Sequence, residues 1–176
     1  MKKQIETERL ILREIVLSDA DGIFQLDSNP NVHIFVGKKP VTNIQQSIDA
    51  IEKIQQQYKE FGIGRWAVIL KETNEFIGWS GIKFIQYEIN NRQNFYELGY
   101  RFIEKHWGKG YSTEAATAFV KYAFDEMKVE ALYAYADEGN ETSRKVLEKL
   151  GFRYINSFEY ENEIEVWYEL RNQTYN

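Results

Sequence analysis

Two closely spaced glycines are the residues that most suggest chemistry in this chain. Gly108 and Gly110 lie in the segment 107–112, WGKGYS, between a predicted strand and a predicted helix. Because they lack Cβ atoms, the backbone can adopt positive φ and come close to a ligand. The helix that follows offers unpaired N–H groups and the positive end of its dipole. Such a turn suits a phosphate or pyrophosphate, although an unliganded strand-to-helix turn fits the same residues.

The composition argues against several other kinds of site. The 176 residues include no cysteine, which excludes disulfides, thiolate metal sites and a cysteine nucleophile. The two histidines, His33 and His106, are too few for a histidine metal cluster, and they disfavour a Ser-His-Asp triad. We therefore expect no metal ion. A formal net charge of −5 disfavours non-specific binding of nucleic acid.

The N-terminal residues predict neither a targeting segment nor a membrane span. No long apolar core follows the first lysines, and no run approaches about 20 apolar residues. The simplest interpretation is a cytoplasmic protein that does not bind membranes and is a monomer or a homodimer.

Hydrophobic periodicity, caps and glycines predict the elements that must hold the glycine turn in place. Strands are predicted at 7–17, 65–70, 75–85, 95–103, 131–136, 154–160 and 163–170. Helices are predicted to begin at Ser18 as cap, at a capping box over residues 42–45, at the glycine turn and at Asn140. Gly62 and Gly151 are expected to end the second and the last helix.

The predicted order of elements is β-α-α-β-β-β-α-β-α-β-β, which indicates one α/β domain with a mixed sheet over residues 1–176. A single helix joins the fourth and fifth predicted strands, so these two should be parallel. In the second predicted hairpin strand, Gly78 and Gly81 suggest bulges or the close approach of another segment. In the last strand, we expect inward alternation of Ile164, Val166, Tyr168 and Leu170.

Five short motifs in this order resemble the GNAT superfamily of acetyl-CoA-dependent N-acetyltransferases, and within it the RimJ/RimL branch of ribosomal-protein N-terminal acetyltransferases. They are TERLILR at 7–13, ELGY at 97–100, HWGKGYSTEA at 106–115, Asn140 with Ser143, and LGF at 150–152. The resemblance covers nearly the full length. It implies acetyl-CoA as cosubstrate, and a twisted mixed sheet of about seven strands flanked by about four helices.

The resemblance also implies which residues hold acetyl-CoA. Trp107, Gly110 and Ser112 occupy the positions of the family's Gln/Arg-x-x-Gly-x-Gly/Ala pyrophosphate motif, in which the contacts are mainly backbone N–H groups. The pantetheine arm is expected along the fourth predicted strand, and Arg144 or Lys145 near the 3′-phosphate. The implied cofactor-binding residues are Tyr100, Arg101, Phe102, Ile103, Trp107, Gly108, Lys109, Gly110, Tyr111, Ser112, Thr113, Asn140, Ser143 and Arg144.

Acetyl transfer to an amine needs a proton acceptor, stabilisation of the thioester oxygen and a proton or solvent for the departing thiolate. Glu97 and Glu159 are the candidate bases, and either can equally be a solvated strand glutamate. Gly99 leaves the face of Glu97 open, because it can bulge the strand. Leu147 stands where many relatives have an acidic Tyr, so the acid implied by the closer branch is Ser143, with Asn140 flanking the thioester or simply capping its helix.

These residues predict direct attack by a primary amine in a ternary complex. The acceptor site is expected between the first two helices and the final hairpin, near Phe35, Trp66, Tyr87 and Trp167. An acidic rim suits a peptide N-terminus, a polyamine or an aminoglycoside alike. Two alternatives remain. One is a non-catalytic acyl-CoA-binding module of the same fold. The other is a nucleotide-binding protein, which lacks the usual glycine spacings.

Overall fold

The computed structural model describes residues 4–173, and one eight-stranded mixed sheet runs through them. Three residues at each end of the predicted domain lie outside the described residues. The strands are β1 Gln4–Glu6, β2 Leu10–Glu14, β3 Arg65–Leu70, β4 Glu75–Ile85, β5 Phe95–Phe102, β6 Ala131–Asp137, β7 Arg153–Tyr160 and β8 Glu163–Arg171. The α-helices are α1 Ala20–Asp27, α2 Ile44–Phe61, α3 Tyr111–Asp125 and α4 Glu141–Lys149. The sheet order is β1-β2-β3-β4-β5-β6-β8-β7.

The mixed α/β architecture is confirmed, but the start of the chain differs from the prediction. The strand predicted at 7–17 is present but shorter, as β2, because residues 7–9 form a turn that is closed by the Thr7 N–H on the carbonyl of Leu10 at 3.0 Å. The strand β1, which precedes this turn, was not predicted. Ser18 does not cap α1. A short 3₁₀ turn precedes that helix, and the carboxylate of Asp19 closes it by accepting the N–H of Val16 at 2.9 Å.

Three smaller expectations are also corrected. The capping box of α2 is shifted by one residue, since the Asn43 side chain accepts the N–H of Gln46 at 3.3 Å and the Gln46 side chain accepts that of Asn43 at 3.2 Å. Ile164 points outward with 45% exposure, because β7 and β8 form the edge of the sheet there. Gly99 makes no bulge, since β4 and β5 stay in unbroken register past it.

The glycines of β4 behave as expected. The register between β3 and β4 shifts between Val68 and Ile69, beside Gly78, whose φ is +156°. A Cβ at Gly78 would collide with the Arg101 carbonyl, and one at Gly81 would lie 2.6 Å from the Gly64 carbonyl oxygen. Both positions therefore need glycine because neighbouring backbone comes so close.

The helices cover both faces of the sheet. On one face α3 buries Ala116 and Phe119, and the Phe119 ring meets Trp66 edge-on at 5.4 Å. On the other face α1 and α2 bury Ile23 and Ile51. Burying a side chain such as Phe119 stabilises the fold by about 1.5–3 kcal/mol. These helices hold the central strands rigidly, which fixes the directions of their side chains.

The sheet opens between β5 and β6. These parallel strands have one registered pair, Glu97 with Tyr133, and then diverge. Strict alternation along β5 puts Glu97 and Arg101 on the face covered by α1, and Tyr100 on the α3 face. Side chains from both faces can therefore reach the opening.

The described residues also bear on membrane spans and metal sites. Between residues 4 and 173 no helix has both the length and the apolarity needed to cross a membrane. In the same range no group of three or more histidine, aspartate or glutamate side chains could hold a metal ion.

Candidate active site

A cavity of about 910 Å³ occupies the opening between β5 and β6, within the size range of ligand pockets. Tyr100, Asn140 and Ser143 line it from the α3 face, and Glu97 and Glu165 from the α1 face. Another cavity of about 950 Å³, between β1 and α3, contains none of the predicted catalytic or cofactor-binding residues. The first cavity is therefore the candidate active site.

Two hydroxyl groups face the cavity on the α3 side. The Tyr100 hydroxyl donates to the Ser143 carbonyl at 3.0 Å and lies 3.2 Å from Ser143 Oγ. Asn140 caps α4, because its side chain accepts the Ser143 N–H at 3.1 Å. Burial raises the pKa of Tyr100, against the opposing effect of its hydrogen bond with Ser143, so the phenol stays protonated. The sequence predicted Asn140 and Ser143 here, but for Tyr100 only a backbone role.

A slot for an extended ligand runs along β5. Past Glu97, no described residue of β6 pairs with β5, so the β5 backbone groups that face β6 are open to a ligand, except the Phe102 carbonyl, which accepts the indole N–H of Trp107. The side chains of Phe102 and Ile103 are each 4% exposed, so a ligand could meet only their backbone. The N–H of Ile103 already donates to the Ile77 carbonyl at 3.0 Å and its carbonyl accepts the N–H of His106 at 2.9 Å, so the predicted contact of Ile103 with the ligand has no open backbone group, and the open groups end before Ile103. An added strand-like chain would satisfy these groups, since unpaired strand edges readily accept another extended segment.

The glycine turn lies at the end of this slot. Gly108 and Gly110 adopt the left-handed conformation, with φ of +73° and +79°. Gly110 precedes α3 without a side-chain cap, so the first N–H groups of a 15-residue helix point outward. Trp107 donates its indole N–H to the Phe102 carbonyl at 2.7 Å, which ties the turn to the end of β5.

The N-terminal TERLILR motif holds the same turn from the other side. Arg9 bonds the Glu114 carboxylate at 2.7 Å and the Lys109 carbonyl at 2.9 Å, and Thr7 donates to Glu114 at 2.6 Å. Burial tends to raise the pKa of Glu114, but these hydrogen bonds outweigh it, and the pKa is lowered. The motif thus keeps the turn preorganised, a function that the sequence alone did not reveal.

Arg144 is engaged within the protein. It donates to the Tyr168 hydroxyl at 3.2 Å and to the Glu138 carbonyl at 3.0 Å, while Lys145 pairs with Glu141 at 3.2 Å on the exposed side of α4. The contact of Arg144 with a 3′-phosphate remains a prediction.

On the α1 face, Glu97 is held by Arg65. The two side chains form an ion pair and are only 10% and 12% exposed. Arg65 also donates to the Gly81 carbonyl at 2.7 Å and the Glu97 carbonyl at 3.1 Å. A Cβ at Gly99 would lie 2.6 Å from this guanidinium, so Gly99 makes room for Arg65. Glu97 therefore reaches the cavity as half of an ion pair.

The structure separates Glu159 from the cavity and brings Glu165 to it. Glu159 is exposed, on the opposite face of β7 from its neighbours Phe158 and Tyr160. The Glu165 side chain is half-buried in the cavity wall. Its carboxylate receives no hydrogen bond and forms no ion pair with any described residue. Burial, and after it Asp137, raises its pKa from an ordinary value near 4.5 to about 7. Sequence reasoning missed Glu165, although alternation with the inward Val166 signals its face.

The predicted acceptor aromatics divide into two groups. Trp66 and Trp167 are core residues with 1% and 3% exposure. Phe35 lines the cavity, whereas Tyr87 is 53% exposed and lies outside its wall.

A family profile described as the acetyltransferase (GNAT) domain matches residues 9–153. The chain belongs to the GNAT acetyltransferase family. The uncharacterized N-acetyltransferase p20 of Bacillus licheniformis is 36% identical over 147 residues, which cover 84% of this chain and 80% of that relative. YkkB of Bacillus subtilis is 34% identical over 154 residues, or 87% of each chain.

Solved structures agree with this membership. A GNAT-family acetyltransferase from Bacillus anthracis gives a TM-score of 0.81 at 27% identity, covering 97% of this chain and 99% of that one. RimL, described as a ribosomal L7/L12 alpha-N-protein acetyltransferase in complex with coenzyme A, shares the fold, with a TM-score of 0.82 at 16% identity over 96% and 98% of the two chains. The protein is an acetyl-CoA-dependent N-acetyltransferase.

The site of this GNAT protein fits the acetyl donor that its family uses. The uncapped start of α3 and the two left-handed glycines suit a pyrophosphate. The free edge of β5 suits the amides of a pantetheine chain, and the hydroxyl pair lies where that slot opens into the cavity.

Proposed function

We propose that the protein transfers the acetyl group of acetyl-CoA directly to a primary amine inside the cavity between β5 and β6. The observation that carries the proposal is the two-sided lining, with hydroxyl groups on the α3 face and an unpaired carboxylate, Glu165, on the α1 face. The donor would enter along β5 from the α3 side and the amine from the α1 side. The single sheet through all described residues supports one catalytic domain.

Direct attack is favoured because no residue is equipped to form an acetyl-enzyme. The chain has no cysteine. Ser143 has hydrogen bonds to Tyr100 and Asn140, and no histidine or carboxylate among the described residues lies within hydrogen-bond distance to activate it. The amine nitrogen would therefore attack the thioester carbon itself.

The protons can be followed through the reaction. The acceptor ammonium gives a proton to the Glu165 carboxylate, and the neutral amine forms the new C–N bond as the C–S bond breaks. After the C–N bond forms, the nitrogen carries one excess proton. This proton passes to solvent, or to Glu165 after Glu165 has released the first proton. A thiol with a pKa of about 8.5 can depart as a thiolate. Ser143 Oγ donates a hydrogen bond to it, and Tyr100 positions Ser143.

Glu165 fits the role of base better than the two residues predicted from sequence. A base works best when its pKa lies near the working pH, and burial brings that of Glu165 to about 7. Glu97 would have to leave Arg65 to accept a proton, and Glu159 lies on the wrong face of β7.

An amine panel with acetyl-CoA tests the proposal. Release of free thiol should depend on the amine, mass spectrometry should find one added acetyl group, and initial rates should show sequential kinetics with intersecting lines. Ping-pong kinetics would contradict direct attack. Tight binding of acetyl-CoA without release of thiol by any amine would instead favour the non-catalytic acyl-CoA-binding module.

A further inference from the structure

Half of the ten charged residues that line the cavity are in ion pairs. Lys38 pairs with Glu163, Arg65 with Glu97, and Arg101 with Asp27, which lies outside the lining. An acceptor must therefore be recognised by the charges that remain.

One of the remaining charges is a cation on β4. Lys83 lines the cavity and is half-buried. Its ammonium group makes no hydrogen bond or ion pair with any described residue. Its nearest aromatic partner is the Tyr87 ring at 6.0 Å. Its cross-strand neighbour Glu97 is turned to Arg65, so two cations share one carboxylate here. Burial, and after it Arg65, lowers the pKa of Lys83, as expected for a cation without a counter-ion of its own.

The other remaining charges of the cavity wall are mainly carboxylates on β6 and the β7–β8 hairpin. Glu165 pairs in register with Asp137, and Glu161 lies in the adjoining turn. Asp137 is three residues before Asn140, the cap of α4, so this acidic end lies beside the hydroxyl pair. The exposed Lys39 is the remaining cation at the rim.

The cationic and acidic ends are too far apart to neutralise each other. Lys83 is on β4 and Glu165 on β8, three strands away in the sheet order. At about 4.8 Å per strand their backbones are about 14 Å apart, and the opening between β5 and β6 adds to this. Neither residue is among the groups that shift the pKa of the other. A single ligand can meet both charges only if it is longer than an α-amino acid.

We propose that the acceptor is an extended zwitterion, with its amine at Glu165 and an anionic group several bonds away at Lys83. This inference rests on the proposed function and names the substrate class. A polyamine would place its second cation against Lys83 and Arg65, whereas a carboxylate there gains a charge-assisted hydrogen bond from Lys83. A short acidic peptide and a long amino acid share this chemistry.

Matched acceptors test the inference. The probes are the amidated peptides Ala-Ala-Glu-Ala and Ala-Ala-Gln-Ala, 6-aminohexanoate with its carboxamide, and spermidine. In the wild-type protein the acid of at least one pair should have a KM about tenfold lower than its amide, the effect of one charged hydrogen bond. Lys83→Met should abolish that difference by raising the KM of the acid. Lys53→Met, on the exposed side of α2, is the matched control and should preserve it.

The outcomes are distinct. A preference confined to the peptide pair supports a peptide acceptor, and one confined to the aminohexanoate pair supports a small molecule. Equal KM values for acid and amide in both pairs, or a preference that survives Lys83→Met, would overturn the inference, and so would spermidine as the best acceptor. Absence of thiol release with every amine would instead count against the proposed function.

Discussion

Substituting Glu165 with Gln removes the proposed base with little change of shape. With a pKa of about 7, about half of the Glu165 carboxyl groups are ionised and able to accept a proton at neutral pH. General base catalysis contributes about 10²–10⁴-fold, so kcat for Glu165→Gln should fall at least about 100-fold. Glu165→Asp, which keeps a carboxylate in the cavity wall, should recover part of the loss.

The size of the loss should depend on the acceptor. Without a base, the variant can use only amine that is already neutral. At pH 7 that is about one molecule in ten for a peptide α-amine of pKa about 8, and about one in 2,500 for an alkyl amine of pKa about 10.4. The loss on Glu165→Gln should therefore be up to about 250-fold greater for the alkyl amine. Thiol release measured with both acceptors gives this ratio directly.

The pH dependence supplies a second measurement. Wild-type kcat should rise with pH and level off above a midpoint near 7, and Glu165→Gln should lack that midpoint. Because the folded protein holds this proton up to about pH 7 while the unfolded chain releases it near 4.5, wild-type stability should decrease between those values. Thermal unfolding of Glu165→Gln should lack this decrease. In the wild type the decrease in stability should be small, because solvent screens the charge of a half-exposed carboxylate.

Glu169→Gln is the matched control. It lies on the same strand outside the cavity wall, and its side chain accepts the Tyr133 hydroxyl at 3.0 Å, which glutamine can also do. Its pH profile should match that of the wild type. An equal loss on both amines in Glu165→Gln, or an unchanged midpoint near pH 7, would refute the assignment of Glu165 as base.

Three further substitutions test other parts of the site. Ser143→Ala should lower kcat more than it weakens acetyl-CoA binding, and an unchanged kcat would remove Ser143 from the mechanism. Gly110→Ala strains a residue with φ of +79° and should weaken coenzyme A binding in calorimetry about fivefold or more, while the same change at Gly62, which ends α2 with φ of +69° outside the site, should not. Arg65→Met leaves Glu97 buried without its partner and should cost about 3–5 kcal/mol in urea unfolding; a loss below about 1 kcal/mol would show that Glu97 is well solvated.

Local signals were sufficient to predict much of this fold. The bounds of β3 and β4 follow from two apolar runs separated by a polar turn, and Gly62 and Gly151 end their helices with φ of +69° and +90°. These are properties of a few consecutive residues. The glycine turn was found for the same reason, because its backbone conformation depends on the glycines themselves.

The failures involve contacts between residues distant in sequence. The turn at Thr7, which shortens the predicted first strand at its start, is stabilised by Glu114, 107 positions later. The role of Gly99 depends on Arg65, which approaches from two strands away. Alternation with Val166 gives the face of Glu165, but the choice between it and Glu159 depends on β8, rather than β7, lying next to β6 in the sheet. No local pattern contains this information.

The Arg65–Glu97 pair explains why the proposed base lies across the opening on β8. Glu97 is the last residue of β5 in register with β6, and Arg65 joins its carboxylate and carbonyl to the Gly81 carbonyl of β4 at that point. A buried ion pair contributes little net stability, but removing one partner is costly. The pair therefore fixes where the sheet opens, and it commits the Glu97 carboxylate to Arg65. With the near side of the opening engaged in this way, an unpaired carboxylate is available from the far side, where the half-buried Glu165 faces the cavity.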